Sequence, residues 1–192
     1  MKAKKLLKNP GLILYRYIVK KRLSLNYLPY LKGKIELVGC NNINVGKLLC
    51  CGKDVKIEAW NNRGSEHFSP EIIIGNNVFF QDRTHITAIN KIIIGNNVLT
   101  GSDVLISDNN HGRSDCVEEL MIPPRDRKLY SKGPIIIGNN VWIGDKACIL
   151  GAVKIGEGSV IGANTVISKD VPAYSVVVGN PSRIIRTFKI NK

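Results

Sequence analysis

Residues 137–178 read I-G-N-N-V-W, I-G-D-K-A-C, I-L-G-A-V-K, I-G-E-G-S-V, I-G-A-N-T-V, I-S-K-D-V-P, A-Y-S-V-V-V, a period of six repeated seven times without a break. Ile137, Ile143, Ile149, Ile155, Ile161 and Ile167 hold the first position. Val141, Ala147, Val153, Ser159, Thr165, Val171 and Val177 hold the fifth. Neither a 3.6-residue nor a 2-residue period fits, but a short strand followed by a tight corner does, so each hexapeptide makes one flat side of a prism. Three sides close one coil. A single coil has unpaired backbone edges; stacked coils pair at roughly 4.8 Å and pile Ile on Ile along the axis. Glycine at the second position is expected to serve a corner of unusual φ/ψ. The reading is an all-β chain, a parallel β-helix of about five coils.

Outward from this run, I-I-I-G-N-N-V occurs at 72, 92 and 135. The first separation is one coil plus two residues, which a corner bulge near Asn90 and Lys91 absorbs. The second is one coil plus 25 residues, so a loop over 112–134, holding Pro123, Pro124 and Gly133, must leave the prism. Excursions of that length are uncommon unless functional. Upstream, ragged hexapeptides start at Val45, Cys51 and Ile57, and Arg63 to Glu71 breaks the period as a second protruding loop containing His67. Downstream, Pro181 ends the coil, a short basic helix is expected to follow, and 188–192 is a tail.

Residues 1–34 form a separate basic segment before a β-helix domain spanning 35–187. They hold ten Lys or Arg and no acid, which leaves 18 basic against all 15 acidic residues for the rest of the chain. The net charge of +13 is therefore mostly a property of this segment. Asn9 and Pro10 read as cap and first residue of a helix to about Leu23. Its apolar stretch, Leu12 to Val19, is too short to span a bilayer. The segment can pack on the first coil, or rest as a basic, Tyr-bearing surface on an anionic membrane leaflet. The charge is not organised as a nucleic-acid-binding motif. Five cysteines without C-x-x-C argue against structural disulfides and a cysteine zinc site, and for reduced thiols in the cytoplasm.

A prism filled by Ile and Val has no internal cavity, so sites must lie in clefts between prisms or beneath loops. Three features converge on such a place: His111 where the long loop departs, Trp142 in the next coil, and the basic end with Lys169, Arg183 and Arg186. The run from Ile135 to Arg186, taken with I-S-D-N-N-H-G at 106–112, the loop, V-W-I-G, S-K-D-V-P and G-N-P-S-R-I-I-R, resembles acetyl-CoA-dependent sugar O-acetyltransferases. These include galactoside and maltose enzymes and those acting on capsule or lipopolysaccharide sugars. The resemblance covers roughly residues 72–187. It implies a left-handed β-helix, a homotrimer with three equivalent clefts, acetyl-CoA as cosubstrate, a carbohydrate acceptor from surface polysaccharide biosynthesis, and no metal. By position it implies His111 as general base, and Trp142, Gly144, Asp145, Ala163, Ser168, Lys169, Arg183 and Arg186 beside the coenzyme. Where galactoside enzymes hold an acceptor-binding Asn, Arg83 stands here, and their N-terminal acceptor Asp has no clear counterpart. Arg83, His85 and Asp108 are the candidate acceptor-side residues; Asp108 is also a candidate to orient His111, though corner geometry could equally turn it away and a backbone carbonyl would serve as well.

The chemistry fits one histidine. A base that titrates near the operating pH removes the proton of a sugar hydroxyl as its oxygen attacks the thioester. A main-chain N–H near Gly144 is expected to stabilise the oxyanion. Two rivals share the fold. A γ-type zinc carbonic anhydrase holds metal with three histidines, two of them five residues apart; His111 has no such neighbour. A scaffold or binding module would use the basic segment alone.

Overall fold

The computed structural model describes residues 9–189. The chain winds as a left-handed parallel β-helix with three faces. The first face stacks Tyr30–Leu31, Cys50–Cys51, Phe79–Phe80, Leu99–Thr100, Trp142–Ile143, Val160–Ile161 and Ser175–Val178 in parallel, and Arg183–Thr187 closes it antiparallel. The second face stacks Ile35–Val38, Val55–Ala59, His85–Ala88, Leu105–Ser107, Cys148–Leu150 and Val166–Ile167. The third stacks Ile43–Val45, Glu71–Ile74, Lys91–Ile94, Ile135–Ile137 and Val153–Ile155, with an isolated bridge from Ile155 to Val171.

The coil is longer than expected. It begins at Tyr30, inside the segment read as a separate N-terminal piece, and completes six turns before Ser175 starts a seventh. Leu31 and Leu37 keep the six-residue step and are buried, but they lack the Ile-Gly signature that marks later coils. Every first-position Ile from 137 to 167 is at most 1% exposed, and all seven fifth-position residues are buried. Two of these are polar and bond within the stack: Ser159 Oγ donates to the Pro172 carbonyl at 2.9 Å, and Thr165 Oγ1 accepts from the Gly179 N–H at 3.0 Å.

The corners explain the G-N-N motif differently from the sequence reading. Gly138, Gly144, Gly156 and Gly162 are not the left-handed residues; that conformation falls two positions later, at Asn140 (φ 57°), Lys146 (59°), Gly158 (66°) and Asn164 (57°). The glycines are needed because coils touch there: a Cβ on Gly138 would lie 2.7 Å from the Glu157 nitrogen. The intervening Asn bonds the coil before it, as Asn139 Oδ1 accepts from the Asn96 N–H at 2.8 Å and Asn96 Oδ1 from the Asn76 N–H at 2.7 Å. Asn bears the left-handed conformation more readily than other side-chain-bearing residues, which suits the second Asn of the pair.

Helix α1, Pro10–Arg22, covers the open end of the first coil. Asn9 caps it, accepting from the Leu12 N–H at 3.2 Å. Val19 is fully buried, Tyr15 Oη donates to the Ile35 carbonyl at 2.6 Å, and Arg16 and Arg22 donate to the carbonyls of Pro29 and Leu37. Residues 1–8 of the basic segment and 190–192 of the tail lie outside the described residues. The C-terminal end is a strand, Arg183–Thr187, where a short helix was expected; β-branched Ile184, Ile185 and Thr187 favour the extended edge that Val176 and Val178 offer. All five cysteines are unpaired, and burial pushes the Cys51 thiol far up, so it serves as a small core residue.

Candidate active site

Irregularity in this prism is confined largely to one edge, the corner between the second and third faces. The second coil inserts a hairpin there, Asn62–Arg63 against Glu66–His67. The third inserts the Ile89–Asn90 bulge, and the fourth the long loop that runs to Ile135. Together they roof the outward side chains of the second face and create a cavity of about 390 Å³ lined by Trp60, Arg63, His85, Thr87, Asn109, His111 and Leu129. A larger opening of about 590 Å³ near Leu23 and Asn76 is lined by corner backbone, with Arg22 its charged residue and no histidine.

His111 does not sit on the prism, where the repeat placed it. It lies one strand pair out, in Asn110–His111 against Leu129–Tyr130, exposed and facing the cavity. The loop, which also carries helix α2 (Val117–Leu120), is latched by the hairpin: Arg63 donates to the carbonyls of Arg127 (2.6 Å) and Arg125, and Glu66 accepts from the Leu129 N–H at 3.1 Å. The strand partner of His111 is thereby tied to the hairpin.

Asp108 has neither role expected of it. It is fully buried, and its carboxylate accepts from the N–H groups of Ile89 and Asn90, each at 2.9 Å, and from Asn109 Nδ2 at 3.3 Å. It braces the two-residue bulge and touches neither His111 nor the cavity. Arg83 also moves out of the acceptor set. It occupies a left-handed corner (φ 58°) between the first and second faces, its guanidinium paired with Asp103 at 2.6 and 2.8 Å. His67 bonds Asn62 in the hairpin at 2.6 Å.

His85 does line the cavity, beside Trp60, and behind them stands Glu58; the sequence reading missed both companions. Glu58 points outward from the second face yet is only 7% exposed; its Oε2 lies 2.8 Å from His85 Nε2 and 3.4 Å from Trp60 Nε1.

The coenzyme-side residues fall into three groups. Trp142 stands 53% exposed on the first face, in register with Leu99 and Val160. Gly144, Asp145 and Ala163 form stacked corners just past it, and Asp145 Oδ1 accepts from the Ser102 N–H at 2.7 Å. Arg183 and Arg186 lie on the closing strand of the same face, exposed. Ser168 and Lys169 are across the second face, on the cavity edge two coils beyond the long loop. The Gly144 N–H itself is spent on the Ile161 carbonyl at 2.7 Å. The N–H that follows a corner glycine is taken by a side-chain oxygen of the next coil at Ser102, whereas after Gly144 the matching residue of the next coil is Ala163, which has no such oxygen. Among the described residues no three His, Cys, Asp or Glu stand together as a metal site, and no helix is long and apolar enough to cross a membrane.

The prism of hexapeptide sides thus carries a histidine-lined cavity on one edge. The family described as bacterial transferase hexapeptide (six repeats) matches residues 134–169. WbbJ of Escherichia coli (strain K12), provisionally named a lipopolysaccharide biosynthesis O-acetyl transferase, is 35% identical over 150 residues, 77% of this chain and 72% of that one. A hexapeptide-repeat acetyltransferase of Vibrio cholerae, solved with acetyl-CoA, superposes with a TM-score of 0.55 at 24% identity, over 92% of this chain and 78% of that one. A variant of AntD, an N-acyltransferase of Bacillus cereus solved with dTDP and coenzyme A, gives 0.67 at 17%, over 91% and 89%; both likenesses concern the fold. The chain belongs to the hexapeptide-repeat acetyltransferases.

Proposed function

We propose that the protein transfers acetyl from acetyl-CoA to a hydroxyl of a sugar in surface polysaccharide biosynthesis, with His111 as general base. The observation that carries this reading is the placing of His111, on a latched loop, in one cavity with a second histidine and a tryptophan. The acceptor oxygen attacks the thioester carbonyl while the imidazole takes its proton. The C–S bond then breaks, and the proton passes to the departing thiolate, leaving an acetyl ester and CoA. The Asp145 N–H replaces the Gly144 N–H as candidate oxyanion donor. The resemblance to WbbJ supports the acceptor class.

His111 and Trp142 belong to different faces, so one chain leaves them apart. We place them together in clefts between copies of a homotrimer, where the flat first face, with Phe79, Leu99 and Trp142 each about 40–50% exposed, meets the cavity edge of a neighbour. Helix α1 is proposed to set location: Leu14, Tyr17 and Ile18 face outward at 65, 56 and 48% exposure beside Lys20 and Lys21, a surface suited to the anionic cytoplasmic leaflet. Incubation with labelled acetyl-CoA and a panel of surface glycans and free sugars should yield a base-labile label on sugar. Active, folded trimer that labels no carbohydrate would overturn the reading.

A further inference from the structure

We infer that His85 and Trp60, held in place by Glu58, form the acceptor-holding half of the cavity, and that they select a neutral pyranose bearing a second free hydroxyl beside the one acetylated. The inference rests on the acetyl-transfer reading above and names its substrate class. A carboxylate buried in low dielectric must be compensated, and Glu58 is compensated by the rings of His85 and Trp60, which it fixes in place. With Nε2 bonded to Glu58, His85 has Nδ1 left to meet a sugar hydroxyl, and its side chain is 37% exposed on the cavity wall. Trp60, also 37% exposed, lines the same wall with a flat apolar ring that suits the C–H face of a pyranose. Arg63, the one guanidinium on that wall, is spent on the Arg125 and Arg127 carbonyls and on Glu66. The cavity thus presents a ring nitrogen, an apolar plate and an already engaged guanidinium, which suits a polyol better than an anion. Glu58 is a positioning residue: it acts through His85.

Steady-state kinetics test the assignment. His85→Asn and Trp60→Ala should each raise KM for the glycan acceptor about tenfold, with kcat changed by less than about threefold and KM for acetyl-CoA unmoved. Glu58→Gln should raise the same KM, because the amide loses the charge that holds the His85 ring in place. An acceptor lacking the neighbouring hydroxyl should cost the native enzyme about tenfold and the His85→Asn enzyme nothing further. Unchanged acceptor KM in both first variants, or an equal deoxy penalty in native and variant enzyme, would overturn the inference. Binding supplies an independent readout, since Trp142→Phe leaves Trp60 as the sole tryptophan. Its emission should respond to methyl pyranosides and not to inorganic phosphate, and Trp60→Phe in the native background should keep most of the affinity. A sugar response without any acetyl transfer would refute the proposed reaction and leave the subsite standing; transfer with no sugar response, or a response to phosphate alone, would refute the subsite.

Discussion

The run from Ile137 to Val178 and the edge of the second to fourth coils where the second face turns into the third use the same repeat, but the edge carries the insertions and the histidine-lined cavity beneath them. In the run, each corner is tight, each Ile is sealed against the next, and a Cβ at Gly138 or Gly144 would meet backbone of the following coil within 2.7 Å. On the edge, three successive coils carry a hairpin, a bulge and a long loop, and the outward side chains beneath them are neither in the core nor in open water. Stability and chemistry are thus separated in space. A coil can gain residues at a corner without disturbing its Ile ladder, because the ladder depends only on where the chain re-enters the prism.

That separation can be broken most forcefully from the coil side. Ile143→Ala should cost about 2–5 kcal/mol of stability, read by denaturant unfolding, with KM values unchanged while the protein stays folded. A loss of activity in fully folded protein would mean that the ladder and the site are coupled. Gly138→Ala should cost about 1–3 kcal/mol through overpacking; a neutral result would show that close approach is not what the glycine provides. On the edge the signs reverse. Arg63→Ala should lower kcat about tenfold by loosening the strand opposite His111, with the melting temperature nearly kept. Arg63→Lys should not rescue it, since one ammonium cannot span two carbonyls as the guanidinium fork does. The smallest effect belongs to Asp108, whose carboxyl burial pushes above its ordinary value of 3.8 despite the N–H groups it accepts from. A carboxyl raised in the folded state gives stability that is full below its ordinary value and fades as pH rises through its folded value. Melting of Asp108→Asn should therefore lie furthest below the native chain at acid pH, the gap narrowing toward neutrality; a gap that widens would contradict the sign.

The coil was legible because a six-residue period with Ile at one place admits few other folds, and the long loop because 25 residues cannot fit a corner. Its first turn was harder to read, since Leu31 and Leu37 keep the spacing without the glycines. His111 and His85 could be picked as chemistry-bearing residues near the loop. Glu58 and Trp60 could not be placed beside His85, because the hairpin insertion hides the register that pairs Glu58 with Thr87. One usable signal was present: alternating outward positions Glu58 and Trp60 stand immediately before the period breaks. Asp108 illustrates the reverse error. Three residues from His111 in sequence, it turns inward to hold the bulge of the neighbouring coil, a contact that depends on stacking and not on local spacing.

The most direct test of the account compares acetyl transfer by native enzyme and His111→Ala, using labelled acetyl-CoA, a responsive glycan, and sedimentation and melting to follow assembly. The account predicts turnover lower by roughly two to four orders of magnitude, with assembly, melting temperature and acetyl-CoA binding nearly unchanged, and the same loss in His111→Asn. A His111→Ala enzyme that keeps most of its turnover would place the base elsewhere in the cavity, with His85 the next residue to replace, and would contradict the central claim.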